Sequence, residues 1–206
     1  MKKSFSFLEI ILVVSLLGFI YTIFIPKNKI NKLDEIANRL SLYIAYTRLK
    51  AMLDDKYEDT DPLWHKKRWT IKFFRCRNTE DGIYFVIYSD KNKTGHPSEE
   101  DSLKDPLTNK LIYSSNYCQE NTKNSKYVLL TKTFDIESIN ITCNETTSLG
   151  QLSFGNDGKI YSKLSAYENE FDKYEITDSC SIQLISRQNE EKKIKIHAKT
   201  GFNKLN

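Results

Sequence analysis

One apolar run, FSFLEIILVVSLLGFIYTIFI from Phe5 to Ile25, constrains this 206-residue chain more than any other feature. Coiled as a helix, its 21 residues rise about 31 Å, the thickness of a hydrocarbon core of roughly 30 Å. The run therefore predicts a helix that crosses a membrane. A cleavable secretory signal has an apolar core of roughly 7–15 residues and small residues at its cut site; this run is longer and ends in Ile25-Pro26-Lys27. Glu9 lies about one turn inside the run, where an ionised group is costly unless it reaches water or a partner. The rest of the chain is polar and offers no second span. It holds about 150 residues, enough for one domain with one core.

Past Pro26 the apolar positions Leu33, Ile36, Leu40, Ile44, Thr47 and Ala51 recur at steps of three and four, which predicts that the helix continues. Proline is expected to bend it, and the helix to reach from Phe5 to about Leu53, roughly 70 Å. From Trp69 the period changes to two. WTIKFF, GIYFVIY, SINIT, QLSF, KIYS, CSIQLIS and KIKIHAK all alternate as strands do. Asn156-Asp157-Gly158 reads as a hairpin turn, and the polar stretch from Asp90 to Asn109, with its two prolines, as a surface loop. The expected fold class is α+β: a long N-terminal helix, transmembrane in its first half, packed on a C-terminal antiparallel β-sheet domain. The corresponding segments are a basic leader (1–4), a membrane and assembly segment (5–25), an amphipathic continuation (26–54) and a β-rich domain (55–206).

The four cysteines, Cys76, Cys118, Cys143 and Cys180, form no C-x-x-C and have no histidine at zinc-ligand spacing. They read as two disulfides made in an oxidising compartment, with three connectivities open; four buried thiols are the alternative. His65, His96 and His197 are the only histidines, none sits in H-E-x-x-H, and no G-x-S-x-G or phosphate-binding glycine loop occurs. The reading is a non-enzyme with no cofactor and no metal. EEDSLKDP is acidic, but Lys104 interrupts it and the calcium-loop ligand pattern is missing. Asp90-Lys91-Asn92-Lys93-Thr94 fits the extended acceptor sequence for bacterial N-glycosylation. Two basic stretches are candidates for nucleic acid: Lys66, Lys67 and Arg68 between Trp64 and Trp69, and Lys193, Lys195 and Lys199 alternating with apolar residues. Lysines on an edge strand also protect against aggregation, and a net charge of +4 makes no global case for DNA.

The N-terminus resembles that of the type IV pilins and type II secretion pseudopilins. A basic leader, MKKS, precedes a start FSFLE, in which Phe5 matches the methylated first residue of the family and Glu9 the glutamate four positions on. Gly18 and Pro26 fall where the family helix has a glycine and a kinking proline. Ser4 stands where the family usually has glycine, and Phe7 replaces a smaller aliphatic. The resemblance implies cleavage between Ser4 and Phe5 by prepilin peptidase, N-methylation of Phe5, and pairing of Glu9 with the Phe5 amine of a neighbouring subunit. LSFGNDGKIYS, CSIQLIS and KIKIHAKTGF are similar to the end of the H-type minor pseudopilin domain, which favours a minor subunit. The implied function is a structural subunit of a type II secretion pseudopilus or type IV pilus. Its implied partners are other pilin-like subunits, the peptidase, an inner-membrane assembly platform and, before assembly, the lipid bilayer. The implied location is the bacterial inner membrane, single-pass, with the N-terminus cytoplasmic and the C-terminal domain periplasmic, and then a filament. The alternatives are a DNA-binding minor pilin for DNA uptake and a signal-anchored ectodomain that never polymerises.

Overall fold

Two separate helices take the place of the single helix expected over Phe5–Leu53. The computed structural model describes residues 6–24, 31–77 and 82–206. The chain divides into two compact units, Met1–Ile30 and Asn31–Asn206. In the first, α1 runs Phe7–Phe24. In the second, α2 runs Lys32–Leu53 and has a start of its own: Asn31 is extended (φ −68°, ψ 112°) and its side chain accepts the N–H groups of Leu33 and Asp34. A residue with that backbone caps a helix and cannot lie inside one, so no helix continues through position 31. Pro26, the expected bend, lies outside the described residues.

The membrane expectation is corrected with it. Among the described residues no helix is long and apolar enough to cross a membrane. With 18 residues α1 rises about 27 Å, short of a hydrocarbon core of roughly 30 Å. A transmembrane first half, and the single-pass inner-membrane placement that followed from it, are therefore withdrawn.

The strands form two antiparallel sheets rather than one. The first contains β1 (Trp69–Arg75), β2 (Ile83–Ser89), β4 (Gln151–Phe154) and β5 (Ile160–Tyr161), in the order β2-β1-β4-β5. The second contains β3 (Ile136–Ile141), β6 (Cys180–Ser186), β7 (Glu191–Ile196) and β8 (Asn203–Leu205), in the order β3-β6-β7-β8. Alternation decides which face of a strand is buried, not which strands pair, so the split was not visible in the period. The β4–β5 hairpin turns through Asn156-Asp157-Gly158, where Gly158 takes φ +82°, a conformation that glycine adopts without a steric penalty.

α2 packs against both sheets and joins them. Its buried stripe is Leu33, Ile36, Leu40, Ile44, Thr47 and Ala51, widened by Ala37 and Tyr43. Facing it are Ile71, Phe73, Phe85, Leu152 and Phe154 of one sheet and Ile182, Leu184, Ile194 and Ile196 of the other, all essentially unexposed. Lys192 to Asp34 (2.8 Å) and Asn203 to the Ser41 carbonyl (2.9 Å) fasten α2 to the second sheet.

The stretch expected as a surface loop is in part structural. β2 lies at an edge, and the chain beyond it returns to cover that edge: Leu103 N–H donates to the Ile87 carbonyl (2.8 Å), Ile87 N–H to that of Ile112 (3.1 Å), and Ser89 N–H to that of Asp101 (3.1 Å). Leu103 and Ile112 are buried with it. Covering an exposed strand edge removes a template for unwanted pairing. It also explains why all seven residues of β2 are buried.

Candidate functional site

Of the expected assembly residues, Ser4, Phe5 and Pro26 lie outside the described residues, while Glu9 and Gly18 lie in α1. Glu9 has a specific local role. Its carboxylate accepts the Ser6 backbone N–H at 2.8 Å, and the Ser6 hydroxyl accepts the Leu8 N–H at 3.4 Å. This reciprocal arrangement is a capping box, which satisfies N–H groups that a first helical turn leaves without partners. The sequence signal for this cap is the S-x-x-E spacing of Ser6 and Glu9. Ser15 Oγ donates to the Ile11 carbonyl at 2.8 Å. With these polar groups bonded within the helix, α1 presents an almost wholly apolar surface. Phe7, Leu8, Phe19 and Tyr21 are each about 70% exposed or more. A Cβ added at Gly18 would meet nothing within 4 Å. A helix that is apolar all round is one that ordinarily becomes covered.

Of the three open connectivities, the structure has Cys76–Cys118 and Cys143–Cys180. The first ties the end of β1 to the returning chain; the second joins neighbouring strands of the second sheet beside the Ile141–Ile182 pair.

The two basic stretches differ. Lys67 contacts Glu58 (2.7 Å) and Asp61 (2.8 Å), and these hydrogen bonds raise its pKa. Arg68 is only 6% exposed: it donates to the Phe171 carbonyl (2.6 Å) and lies 3.8 Å from the centre of the Tyr161 ring. Lys66 donates to the Lys93 carbonyl. This cluster is committed to the fold, so the structure does not place it together with the second stretch as a phosphate-binding surface. Lys193 and Lys195 do project outward from β7, with Lys195 directly opposite Lys204 of β8 and Lys199 exposed in the following turn. None of these four ammonium groups has an ion-pair partner among the described residues. Like charges opposed across a ladder are unfavourable.

His65 and the acidic stretch also fall into structural surroundings. His65 is fully buried, with Nε2 3.0 Å from the Ser165 carbonyl oxygen and no partner for Nδ1 among the described residues. Burial depresses its pKa, helped by the positive charges of Arg68 and Lys66. In the acidic stretch, Asp101 accepts the Ser98 hydroxyl (2.8 Å) and Asp105 accepts the Tyr43 hydroxyl (2.7 Å). These carboxylates serve as acceptors inside the fold. Among the described residues no group of three or more histidine, cysteine, aspartate or glutamate side chains is placed to hold a metal ion. The chain matches no family model, no curated protein and no solved structure.

Proposed function

We propose that the protein is a structural, pilin-like subunit that polymerises through its N-terminal helix, in a type II secretion pseudopilus or a type IV pilus. The single observation that supports this most is α1: an exposed, apolar helix whose one charged side chain, Glu9, lies in its first turn. Neighbouring copies of the same helix, or the helices of related subunits, are a natural cover for such a surface. The MKKS leader and the FSFLE start support cleavage after Ser4, which would free an amine on Phe5 for a neighbouring Glu9 to neutralise. A buried charge left unpaired costs several kcal/mol, so the pairing would set the register of the assembly.

The capping box makes this testable with two substitutions. Glu9→Gln keeps an acceptor for the Ser6 N–H, since glutamine also serves in capping boxes, but loses the charge. Glu9→Val loses both. Copurification with partner subunits should fail for both variants, while N-terminal sequencing shows cleavage after Ser4 intact. Normal incorporation of Glu9→Gln would leave Glu9 as a helix cap alone and defeat the reading.

A second reading, DNA binding, is favoured by Lys193, Lys195, Lys199 and Lys204, which make no ion pair among the described residues. Phosphate contacts release counterions, so retention of DNA would weaken with salt and weaken further in a Lys193→Gln, Lys195→Gln variant. Salt-independent retention, or none, counts against it.

A further inference from the structure

Over the outward face of the first sheet lies a polar cleft of about 290 Å³, floored by Lys72, Tyr88 and Gln151 and walled by the turns around Gly95 and Thr147. The floor residues come from three adjacent strands in one register: Lys72 of β1 stands opposite Gln151 of β4, and Tyr88 of β2 is opposite Thr70, two residues before Lys72. They share a face because successive side chains alternate and these positions have the same parity.

The hydrogen-bonding inventory of this cleft is lopsided. Its carboxylates are already used: Asp90 accepts the N–H groups of Thr94 (3.2 Å) and Gly95 (2.6 Å), and Glu145 accepts the Ser162 hydroxyl (3.0 Å). Its donors are not. Tyr88 is 4% exposed and its hydroxyl has no hydrogen-bond partner among the described residues. Gln151 is 7% exposed, and its amide makes one long contact, 3.4 Å, to the Ser153 hydroxyl. Lys72 makes no ion pair among the described residues; its ammonium donates to the Gly95 carbonyl at 3.4 Å and lies 5.3 Å from the centre of the Phe74 ring. At the rim, Lys163 sits 5.2 Å from the Tyr174 ring centre and makes no ion pair among the described residues. Among the described residues none of Lys72, Tyr88 and Gln151 makes a side-chain hydrogen bond shorter than 3.4 Å, so each faces the cleft with donor capacity to spare. Burial depresses the Lys72 pKa against the opposing pull of the Asp90 carboxylate, and an arriving anion would relieve the cost of burial further.

We propose that this cleft binds a small molecule through an oxyanion, carboxylate or phosphate, held by the Lys72 ammonium, the Tyr88 hydroxyl and the Gln151 amide. The volume lies at the small end of ligand pockets, roughly 300–1,000 Å³, which suits a monosaccharide-sized acid rather than a polymer. Charge-assisted hydrogen bonds to a partly buried ammonium supply the affinity; the two neutral donors supply orientation.

The test is calorimetric titration of the full-length chain, kept dispersed in mild detergent at constant ionic strength, with inorganic phosphate, glucuronate and glucose. Saturable binding of either anion, with glucose silent, is expected, and the tighter of the two identifies the group recognised. Lys72→Met should weaken it at least about tenfold and Tyr88→Phe several-fold. The thermal midpoint of each unliganded variant reports its folding; if Lys72→Met fails to fold, Tyr88→Phe decides. No saturable binding of either anion, equal binding of glucose, or wild-type affinity in a folded variant overturns the proposal.

Discussion

α1 and α2 are helices of similar length, 18 and 22 residues, with opposite relations to water. α2 alternates charge with a stripe of apolar residues and buries eight side chains against two sheets. α1 has hydrophobic residues on every side, and every side chain described in it is exposed. The comparison teaches that hydrophobicity by itself does not make a core. What anchors α2 is pattern, a single stripe that one domain can cover, whereas a uniformly apolar cylinder exceeds what any one face can bury.

The sharpest way to break the comparison is to truncate matched leucines. Leu40→Ala in α2 should cost about 2–5 kcal/mol in chemical denaturation of the full chain, because Leu40 is wholly buried. Leu12→Ala in α1 should change the same transition by less than about 0.5 kcal/mol. Similar losses from both would mean that the two helices share one cooperative unit.

The disulfides sharpen it next, since both lie in the second unit. Replacing Cys143 and Cys180 together by serine should cost about 2–4 kcal/mol. The bridges span 37 and 42 residues, so chain entropy makes their losses equal to within about 0.1 kcal/mol. Costs differing by more than about 1 kcal/mol would show that one sheet dominates the unit's stability.

Acid should loosen the second unit through His65. Its folded pKa lies below its unfolded value of about 6.5, so the unfolded chain takes up a proton that the folded chain resists. That contribution is therefore full above about pH 6.5 and is lost as pH falls below it, by at most about 1.4 kcal/mol per pH unit. Asp61, held low by hydrogen bonds from Lys67 and Lys93, gives way only in stronger acid, where its unfolded form begins to protonate. Denaturation midpoints of His65→Asn should stay flat between about pH 8 and about pH 5.5, where the wild type declines; a parallel decline would clear His65. The smallest effect belongs to α1: Ser6→Ala should reduce its helicity, seen by circular dichroism, at a cost of about 1 kcal/mol, and leave the denaturation transition in place.

Much of the second unit was readable in advance because its signals are local. Each alternating segment from Trp69 to Ile196 contains a strand, and the stripe from Leu33 to Ala51 is the buried face of α2. What escaped depended on relations between distant residues or on single backbone angles. Asn31 starts α2 through its own φ and ψ, which no apolar period records. β8 is three residues long and pairs with β7 only after the chain turns at Gly201. The covering of β2 by Leu103 and Ile112 was hidden in a segment whose polar composition pointed outward. Among site residues, the basic stretch at 66–68 shows that charge in sequence says nothing of partners: Glu58 and Asp61 engage Lys67, and the Phe171 carbonyl engages Arg68. The cleft-facing donors of Lys72, Tyr88 and Gln151 belong to three strands and had no sequence signature at all.

The Ser6–Glu9 cap has a consequence for how α1 can be edited. Among the described residues, the side chains that cap its first turn are those of Ser6 and Glu9, so the helix carries a start signal of its own. Anything joined or removed upstream of that serine, a tag, a linker or a few residues of leader, should leave the start of the helix in the same place. The segment is a portable part, with its boundary written inside it.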